Sequence, residues 1–205
     1  MHVKKKELEM ILQRIPPLKS PKPSLEQYQT PASIAADILF LAYDDVHDKV
    51  VIDLGCGTGI FSIGCSLLGA KKVIGIDIDE RAIEIARKKA DEMNVDVNFM
   101  VGDINKAKMK GDTVIMNPPF GAQYDNKKAD SLFIKKALEI ASVIYTIHLK
   151  KTMPFIYSLI SSLQGKITYS KDYIFPIKKT FPFHEKKVEK FEVKMLRVQK
   201  TFIKE

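Results

Sequence analysis

The chain has 205 residues, of which 45% are hydrophobic and 28% are charged. This length suits one α/β domain with a short extension, and the composition is ordinary for a soluble globular protein. No apolar run is long enough to span a bilayer, and the start MHVKKKELEM lacks the apolar stretch of a signal peptide. Two cysteines exclude a disulfide framework and a four-cysteine zinc site. We therefore expect a cytoplasmic protein in which Cys56 and Cys65 serve packing.

The net charge of +8 is concentrated at the two ends of the chain. Residues 1–30 contain six Lys/Arg and three Asp/Glu, whereas residues 171–205 contain ten and five, so the middle is neutral. Basic margins beside a neutral core are what an enzyme acting on a polyanion needs. A merely solubilising lysine-rich surface is an equally acceptable interpretation of the same pattern.

Helical and strand patterns alternate along most of the chain, and two consecutive strands follow. The predicted elements are a helix at 3–14, an extended proline-rich segment at 16–24, a helix at 31–43 with Thr30 as N-cap and Pro31 at its first position, a strand at 48–55, a helix at 59–68, a strand at 71–79, a helix at 80–93, strands at 95–101 and 112–117, a helix at 129–141, a strand at 141–149, a helix at 152–163, and strands at 166–175 and 188–198. This order predicts an α/β fold with a mostly parallel, doubly wound sheet and an antiparallel contribution at one edge.

A glycine-rich turn, DLGCGTG, runs from Asp53 to Gly59 between a predicted strand and a predicted helix. Three glycines in five residues permit a tight turn and a close approach of the backbone to a ligand. The turn alone is a weak signal, because many α/β proteins have one. The carboxylate of Asp53 adds to it, because it could accept a hydrogen bond from a ligand ammonium group.

Carboxylates also mark the ends of the next two predicted strands: the second strand ends in GIDID, which contains Asp77, and the third is followed by VGDI, which contains Asp103. An acidic residue at the position of Asp77 binds ribose hydroxyls in dinucleotide folds, because one carboxylate can accept two such bonds. Asp103 could accept a hydrogen bond from the amino group of an adenine. The alternative is that each carboxylate only caps a helix or a turn, but three at one sheet edge favour a nucleoside site.

The fourth predicted strand ends in Asn117, Pro118, Pro119 and Phe120, where two adjacent prolines stiffen the backbone. The simple interpretation is a rigid turn. However, the exocyclic amine of a base is a poor nucleophile, because its lone pair is delocalised into the ring. The Asn117 side-chain oxygen and the Pro118 carbonyl could hold both amino hydrogens, and Phe120 offers a face for stacking. The motif therefore predicts a pocket for an NH₂ group on a flat ring.

In this order, DLGCGTG, GIDID, VGDI and NPPF resemble a class I S-adenosylmethionine-dependent methyltransferase that acts on an amino group. LEQYQTP (25–31), DTVIMNPPFG, ADSLFIKKALEIA and FHEKK (183–187) narrow the resemblance to the methyltransferase-like family that makes N6-methyladenosine in small-subunit ribosomal RNA of archaea and eukaryotes. The resemblance implies a Rossmann-like sheet of seven strands, mostly parallel with one antiparallel strand, and helices on both faces. Residues 1–30 would be an N-terminal extension and residues 31–205 the methyltransferase domain.

The resemblance also implies S-adenosylmethionine as the cofactor and assigns roles to particular residues. The implied cofactor-binding residues are Gln27, Thr30, Asp53, Gly55, Gly57, Thr58, Gly59, Ile60, Asp77, Ile78, Asp103 and Ile104. The implied catalytic residues are Asn117, Pro118, Pro119 and Phe120, and the implied substrate-binding residues are Phe183, His184, Lys186 and Lys187. His184 could instead be a structural hydrogen bonder. His2, His47 and His148 suggest no metal site.

Two alternatives share the NPPF type of motif, namely protein-glutamine N5 methylation and ribosomal RNA guanine-N2 methylation. The basic ends disfavour a protein substrate, and Asn117 with Asp77 disfavours a cofactor-binding adaptor without catalysis. The resembling eukaryotic enzymes use a small zinc-containing activator protein. We expect such a partner, besides RNA, on strand 95–101, which should lie at the sheet edge and contains no lysine. An edge covered by the chain itself is the alternative.

Overall fold

The computed structural model describes residues 3–120, 129–178 and 188–201. Within these ranges the chain forms seven α-helices and seven β-strands. The helices are α1 (Lys5–Leu12), α2 (Ala32–Leu41), α3 (Tyr43–Val46), α4 (Ile60–Leu67), α5 (Glu80–Glu92), α6 (Ala129–Ile140) and α7 (Met153–Ser162). The strands are β1 (Val50–Leu54), β2 (Lys72–Asp77), β3 (Asn98–Val101), β4 (Thr113–Met116), β5 (Val143–Leu149), β6 (Gly165–Lys178) and β7 (Val188–Lys200). The residues predicted to bind substrate, Phe183, His184, Lys186 and Lys187, lie outside the described ranges.

All seven strands form one sheet in the order β3-β2-β1-β4-β5-β7-β6. The pairs among β1 to β5 are parallel, while β7 runs antiparallel to both β5 and β6, so the predicted sheet with one antiparallel strand is confirmed. The order reverses between β1 and β4, and Leu54 of β1 pairs with Ile76 on one side and Met116 on the other. The chain therefore leaves β1, β2 and β4 at the same edge, at the switch point where such sheets bind ligands.

Alternating residues of the strands supply two separate hydrophobic cores, one on each face of the sheet. Val51 belongs to the core that contains α1, α2, α4 and α5. Its neighbour Ile52 belongs to the core that contains α6 and α7. Because side chains alternate along a strand, Asp53 points to the same face as Val51, toward α4. The prediction of helices on both faces is thus confirmed.

The N-terminal residues share a core with the rest of the chain. Leu8, Leu12 and Ile15 are buried in the same cluster as α2 and α4. Lys5 of α1 also donates a hydrogen bond to Asp37 of α2. The division into an extension at 1–30 and a domain at 31–205 stays a prediction, but α1 is packed as part of the fold. None of the helices in the described ranges is both long enough and apolar enough to cross a bilayer.

Some predicted boundaries are wrong. Thr30 is not an N-cap, because Pro31 has an extended backbone (φ −56°, ψ 137°) and α2 begins only at Ala32. The third strand covers Asn98–Val101 rather than 95–101, and Lys150–Thr152 forms a 3₁₀ turn before α7. The proline-rich segment is not extended to its end, because Pro23–Leu25 forms a further 3₁₀ turn.

Candidate active site

A cavity of about 1000 Å³ lies at the edge of the sheet where β1, β2 and β4 end. The predicted site residues that line it are Gln27, Thr30, Asp53, Gly55, Gly57, Thr58, Ile60, Asp77, Ile78, Asp103, Ile104, Asn117 and Pro119. Three further predicted residues, Gly59, Pro118 and Phe120, are described but are not part of its wall. The fold thus brings together residues that are up to 92 positions apart in the chain (Gln27 to Pro119).

The glycine-rich turn lines the cavity with Gly55 and Gly57 and uses Gly59 for packing. Both Gly57 (φ 53°) and Gly59 (φ 87°) have left-handed backbone conformations, which side chains disfavour. A Cβ atom on Gly57 would meet nothing within 4 Å, so a ligand can approach this backbone closely. A Cβ atom on Gly59 would lie 2.9 Å from the Phe99 ring, so this glycine permits α4 to pack near β3.

Asp77, at the end of β2, stabilises the glycine-rich turn through a hydrogen bond. Its Oδ2 accepts a hydrogen bond from the Gly57 N–H (2.8 Å), and its Oδ1 accepts one from the Asp79 N–H (2.9 Å). Burial is the main cause that raises the pKa of Asp77. Because each carboxylate oxygen has a second acceptor site, Asp77 can still bind two hydroxyl groups while it holds the turn.

Asp53 is almost completely buried (2% exposed) and is held by a residue that the sequence analysis did not identify. Its Oδ2 accepts hydrogen bonds from the Ser62 N–H (2.9 Å) and the Ser62 hydroxyl (2.6 Å). Burial outweighs these bonds and raises the pKa of Asp53 to about 7. Because side chains alternate along β1, Asp53 faces α4. A polar residue on this helix could therefore have been expected to bond to Asp53, and this was the signal available for Ser62.

Asp103 combines a cavity position with a local structural role. Its carboxylate accepts hydrogen bonds from the backbone and side-chain N–H groups of Asn105 and so caps the turn Ile104–Lys106. This is the capping role that the alternative interpretation offered. It leaves the second carboxylate oxygen for a ligand, because both described bonds fall on Oδ1.

The segment at residues 22–30, here called the strap, crosses the cavity from the end of β2 to the end of β4. At one end the Gln27 amide donates to Asp79 Oδ2 (2.9 Å) and accepts from the Lys22 N–H (2.7 Å). Closer to its other end the Gln29 amide donates to Thr58 Oγ1 (3.3 Å), a contact that the sequence analysis missed. The strap is therefore attached both to the glycine-rich turn and to the start of α5.

The other end of the strap meets Asn117. The Asn117 Nδ2 donates a hydrogen bond to Thr30 Oγ1 (3.1 Å), which orients the amide. The Asn117 Oδ1 is buried and has no hydrogen-bond partner among the described residues. A buried acceptor without a donor is rare in proteins and points to a ligand that supplies one. Phe120 lies elsewhere: it is 7% exposed, and its ring packs edge-on against Phe175, with ring centroids 5.8 Å apart.

Helices α6 and α7 form a wall of the cavity that the sequence analysis did not predict. Its residues are Ser131, Leu132, Phe133, Lys135 and Phe155. Behind this wall, His148 of β5 is fully buried, and its ring nitrogens contact Asp130 Oδ1 (2.5 Å) and Thr146 Oγ1 (2.8 Å). This chain of contacts attaches the first turn of α6 to β5. The described residues contain no cluster of three or more His, Cys, Asp or Glu side chains that could hold a metal ion.

Comparisons with known proteins identify relatives of this chain. The family of methyltransferase small domains matches residues 32–142. The zebrafish (Danio rerio) protein named rRNA N(6)-adenosine-methyltransferase METTL5 is 36% identical over 97% of this chain and 100% of its own length. The uncharacterized protein MJ0284 of Methanocaldococcus jannaschii is 45% identical over 97% of this chain and 95% of its own.

Among solved structures, PH1948 from Pyrococcus horikoshii superimposes with a TM-score of 0.90 at 38% identity, over 98% of this chain and 100% of that one. The match therefore includes the strap and the antiparallel strand pair as well as the glycine-rich half. The chain belongs to the family of methyltransferase small domains and, within it, to the group that contains the METTL5 proteins.

Proposed function

We propose that this protein transfers a methyl group from S-adenosylmethionine to N6 of an adenine in structured RNA, with small-subunit ribosomal RNA as its substrate. The observation that carries the proposal is the buried Asn117 Oδ1, which lines the cavity and lacks a donor among the described residues. The full-length similarity to a METTL5 protein supports the choice of RNA and of N6-adenine.

The cavity fits the cofactor. The open backbone at Gly57 suits the close approach of the methionine part, and Asp77 retains acceptor sites for the ribose hydroxyls. Other residues of the proposed cofactor site also line the cavity. Asp53, Gly55, Thr58 and Ile60 would face the methionine part, Ile78 the ribose, and Asp103 and Ile104 the adenine. S-adenosylmethionine would supply an electrophilic methyl group on a sulfonium.

Asn117 would prepare the acceptor amine for transfer. Its Oδ1 would accept one N6 hydrogen and the Pro118 carbonyl the other, which makes the nitrogen pyramidal and localises its lone pair. The Thr30 hydroxyl keeps the amide in this orientation, and the stiff prolines hold both acceptors in place without reorganisation. The lone pair would then form the new N–C bond as the S–C bond of the methyl donor breaks, and the extra proton would pass from the nitrogen to water afterwards. This sequence needs no general base.

An adenine inside a helix cannot reach this amide, because the Asn117 Oδ1 is buried. The base must leave its stack, as in other enzymes that modify bases in nucleic acids. The basic ends of the chain would hold the flanking phosphates. Lys186 and Lys187 belong to that proposal, together with Phe183 and His184, which could contact the displaced base.

A small zinc-containing activator on β3 is the partner that we propose. β3 is the edge strand, as predicted, and its residues Met100 and Val101 are exposed. An open apolar edge favours the addition of a strand from another protein. A purified chain that is monodisperse, stable and fully active alone would count against an obligate activator. A ribosomal RNA substrate is compatible with the expected cytoplasmic location.

The function can be tested by incubating the protein with labelled S-adenosylmethionine and unmodified small-subunit ribosomal RNA, followed by nucleoside analysis. We expect label in 6-methyladenosine. Asn117→Ala should abolish transfer while cofactor affinity stays near that of the wild type, because Asn117 acts on the acceptor. Label in N2-methylguanosine would point to the guanine alternative, and label in glutamine of a co-purified protein to the protein-glutamine alternative.

A further inference from the structure

The cavity has one wall to which the proposed cofactor and target base assign no role. At about 1000 Å³ it lies at the upper end of the range for ligand pockets, roughly 300–1000 Å³. The residues with proposed roles lie on the strap and at the ends of β1 to β4. The wall formed by α6 and α7 has no role in that account, although it borders the same space as Asn117.

Phe155 is the exceptional residue of this wall. The described residues include three strongly exposed aromatic side chains, Phe155 (51%), Tyr157 (41%) and Tyr169 (44%), and of these only Phe155 lines the cavity. It lies in the first turn of α7, which follows β5, and β5 pairs in parallel with β4, the strand that leads to Asn117. A half-exposed phenyl ring thus stands at the mouth of the cavity, on the side of the acceptor amide.

Lys135 adds a positive charge to the same wall. It lies on α6 one turn after Leu132, and both side chains are exposed and line the cavity. No hydrogen bond or ion pair involves Lys135 within the described part of the chain. Its neighbour Lys136 differs, because that side chain is buried and bonded to the Ala107 carbonyl and to Glu139. The charge of Lys135 is therefore available to a ligand at the cavity mouth.

We propose that Phe155 and Lys135 bind the nucleotide that flanks the target adenine. The base of that nucleotide stacks on the Phe155 ring, and a neighbouring phosphate meets the Lys135 ammonium group. When the target base leaves its stack, its neighbour loses a stacking partner, and an exposed aromatic ring replaces that partner. This inference rests on the proposed function, because it needs an RNA substrate.

Substitutions at Phe155 test the stacking contact in the full-length enzyme, with transcribed small-subunit ribosomal RNA as the probe. Phe155→Ala should raise the KM for RNA roughly ten-fold or more, since loss of one aromatic stacking partner has effects of about that size. Phe155→Leu should be similarly impaired, because it stays apolar without a flat face, whereas Phe155→Trp should restore the wild-type KM. The matched control is Tyr157→Ala on the same helix, which should leave the KM unchanged. Calorimetry should give wild-type affinity for S-adenosylmethionine in all four variants.

The charge is tested by Lys135→Ala against Lys166→Ala, since Lys166 is an exposed lysine of β6 outside the cavity. Only the first should weaken RNA binding, and it should reduce the salt dependence by roughly 0.7–0.9 in log–log slope. The proposal is overturned if Phe155→Ala keeps the wild-type KM, if Phe155→Leu matches Phe155→Trp, or if cofactor affinity falls along with RNA affinity. These results leave the proposed function intact, because wild-type enzyme would still methylate RNA. Absence of RNA methylation by the wild type would refute both.

Discussion

The contact between Thr30 and Asn117 can be removed without changing the shape of the site. Thr30→Val replaces a hydroxyl by a methyl group at a buried position, so the strap should keep its path. The variant loses the 3.1 Å hydrogen bond from Asn117 Nδ2 and leaves that N–H without its acceptor. A buried polar group left unpaired costs about 1–3 kcal/mol, and the freed amide can rotate away from the substrate amine.

If this cost falls on the transition state, kcat should decrease roughly 5- to 150-fold, at about 1.4 kcal/mol for each factor of ten. The measurement is single-turnover methylation with RNA and cofactor both saturating, so that binding does not contribute. Thr201→Val is the control, because it removes a comparable hydrogen bond, to the Gln164 carbonyl, at an exposed position away from the cavity. That control should retain the wild-type kcat.

A double-mutant cycle tests whether Thr30 acts through Asn117. Because Asn117→Ala should abolish transfer, the cycle is measured as the free energy of unfolding in urea, and in the Asn117→Ala background the further change Thr30→Val should leave that free energy almost unchanged, since its partner has already been removed. The reasoning is refuted if Thr30→Val alone keeps the wild-type kcat. It is also refuted if cofactor affinity decreases as much as kcat, because Thr30 would then serve cofactor binding rather than the orientation of the amide.

Three further predictions concern carboxylates. Asp77→Ala should weaken S-adenosylmethionine binding about ten-fold or more by calorimetry without unfolding the chain; unchanged affinity would remove Asp77 from the cofactor site. Burial raises the pKa of Asp53 to about 7, so cofactor affinity should increase roughly ten-fold from pH 5.5 to 7 as this carboxylate ionises. Over the same range the unliganded protein should become less stable, because the folded state disfavours the ionised carboxylate. Asp53→Asn should remove both pH dependences. For Asp37, hydrogen bonds from Lys171, Tyr173 and Lys5 outweigh desolvation and lower the pKa to about 2. The ionised carboxylate should therefore contribute about 1–2 kcal/mol to the free energy of unfolding above pH 4, and this contribution should be lost toward pH 2. Urea unfolding of the wild type should show that loss, and the Asp37→Asn variant should not.

The sequence predicted the sheet well because its signals are local and repeat with a fixed period. Apolar runs end in glycine or carboxylate at β1 and β2, and the parallel order follows from their alternation with helices. An error occurs where a single backbone dihedral angle sets the first residue of a helix. Thr30 was predicted as a cap because Thr-Pro commonly starts a helix, but the extended ψ of Pro31 moved the start of α2 by one residue and released the Thr30 hydroxyl for Asn117.

The candidate site was predictable where its residues lie next to a strand end and not where they come from a distant helix. Asp53 and Asp77 lie within the last two residues of β1 and β2, and Asn117 directly follows β4, so their motifs mark them. Phe155 reaches the site only through packing, and nothing in its local sequence distinguishes it from a core or surface residue. Ser62 also depends on packing, and its signal is indirect, because it is a polar residue on α4, the helix that Asp53 faces. Phe120 is the opposite case. It belongs to the motif after β4, but its ring packs against Phe175 and does not line the cavity.

Only part of the cavity is formed by the residues that match the family of methyltransferase small domains, and this bears on substrate specificity. The family of methyltransferase small domains matches residues 32–142, which include Asp53, Asp77 and Asn117. The strap and Phe155 lie outside that range, yet they line the same cavity. The matched part can therefore hold a methyl donor and grip an amine, while it has few groups that distinguish one amine-bearing substrate from another. Discrimination among substrates must therefore come mainly from the segments before and after the matched range. These are the strap, which orients the Asn117 amide, and α7, which offers the Phe155 ring to the neighbouring base. Changes confined to these two segments should alter which RNA is methylated before they alter how tightly the cofactor binds.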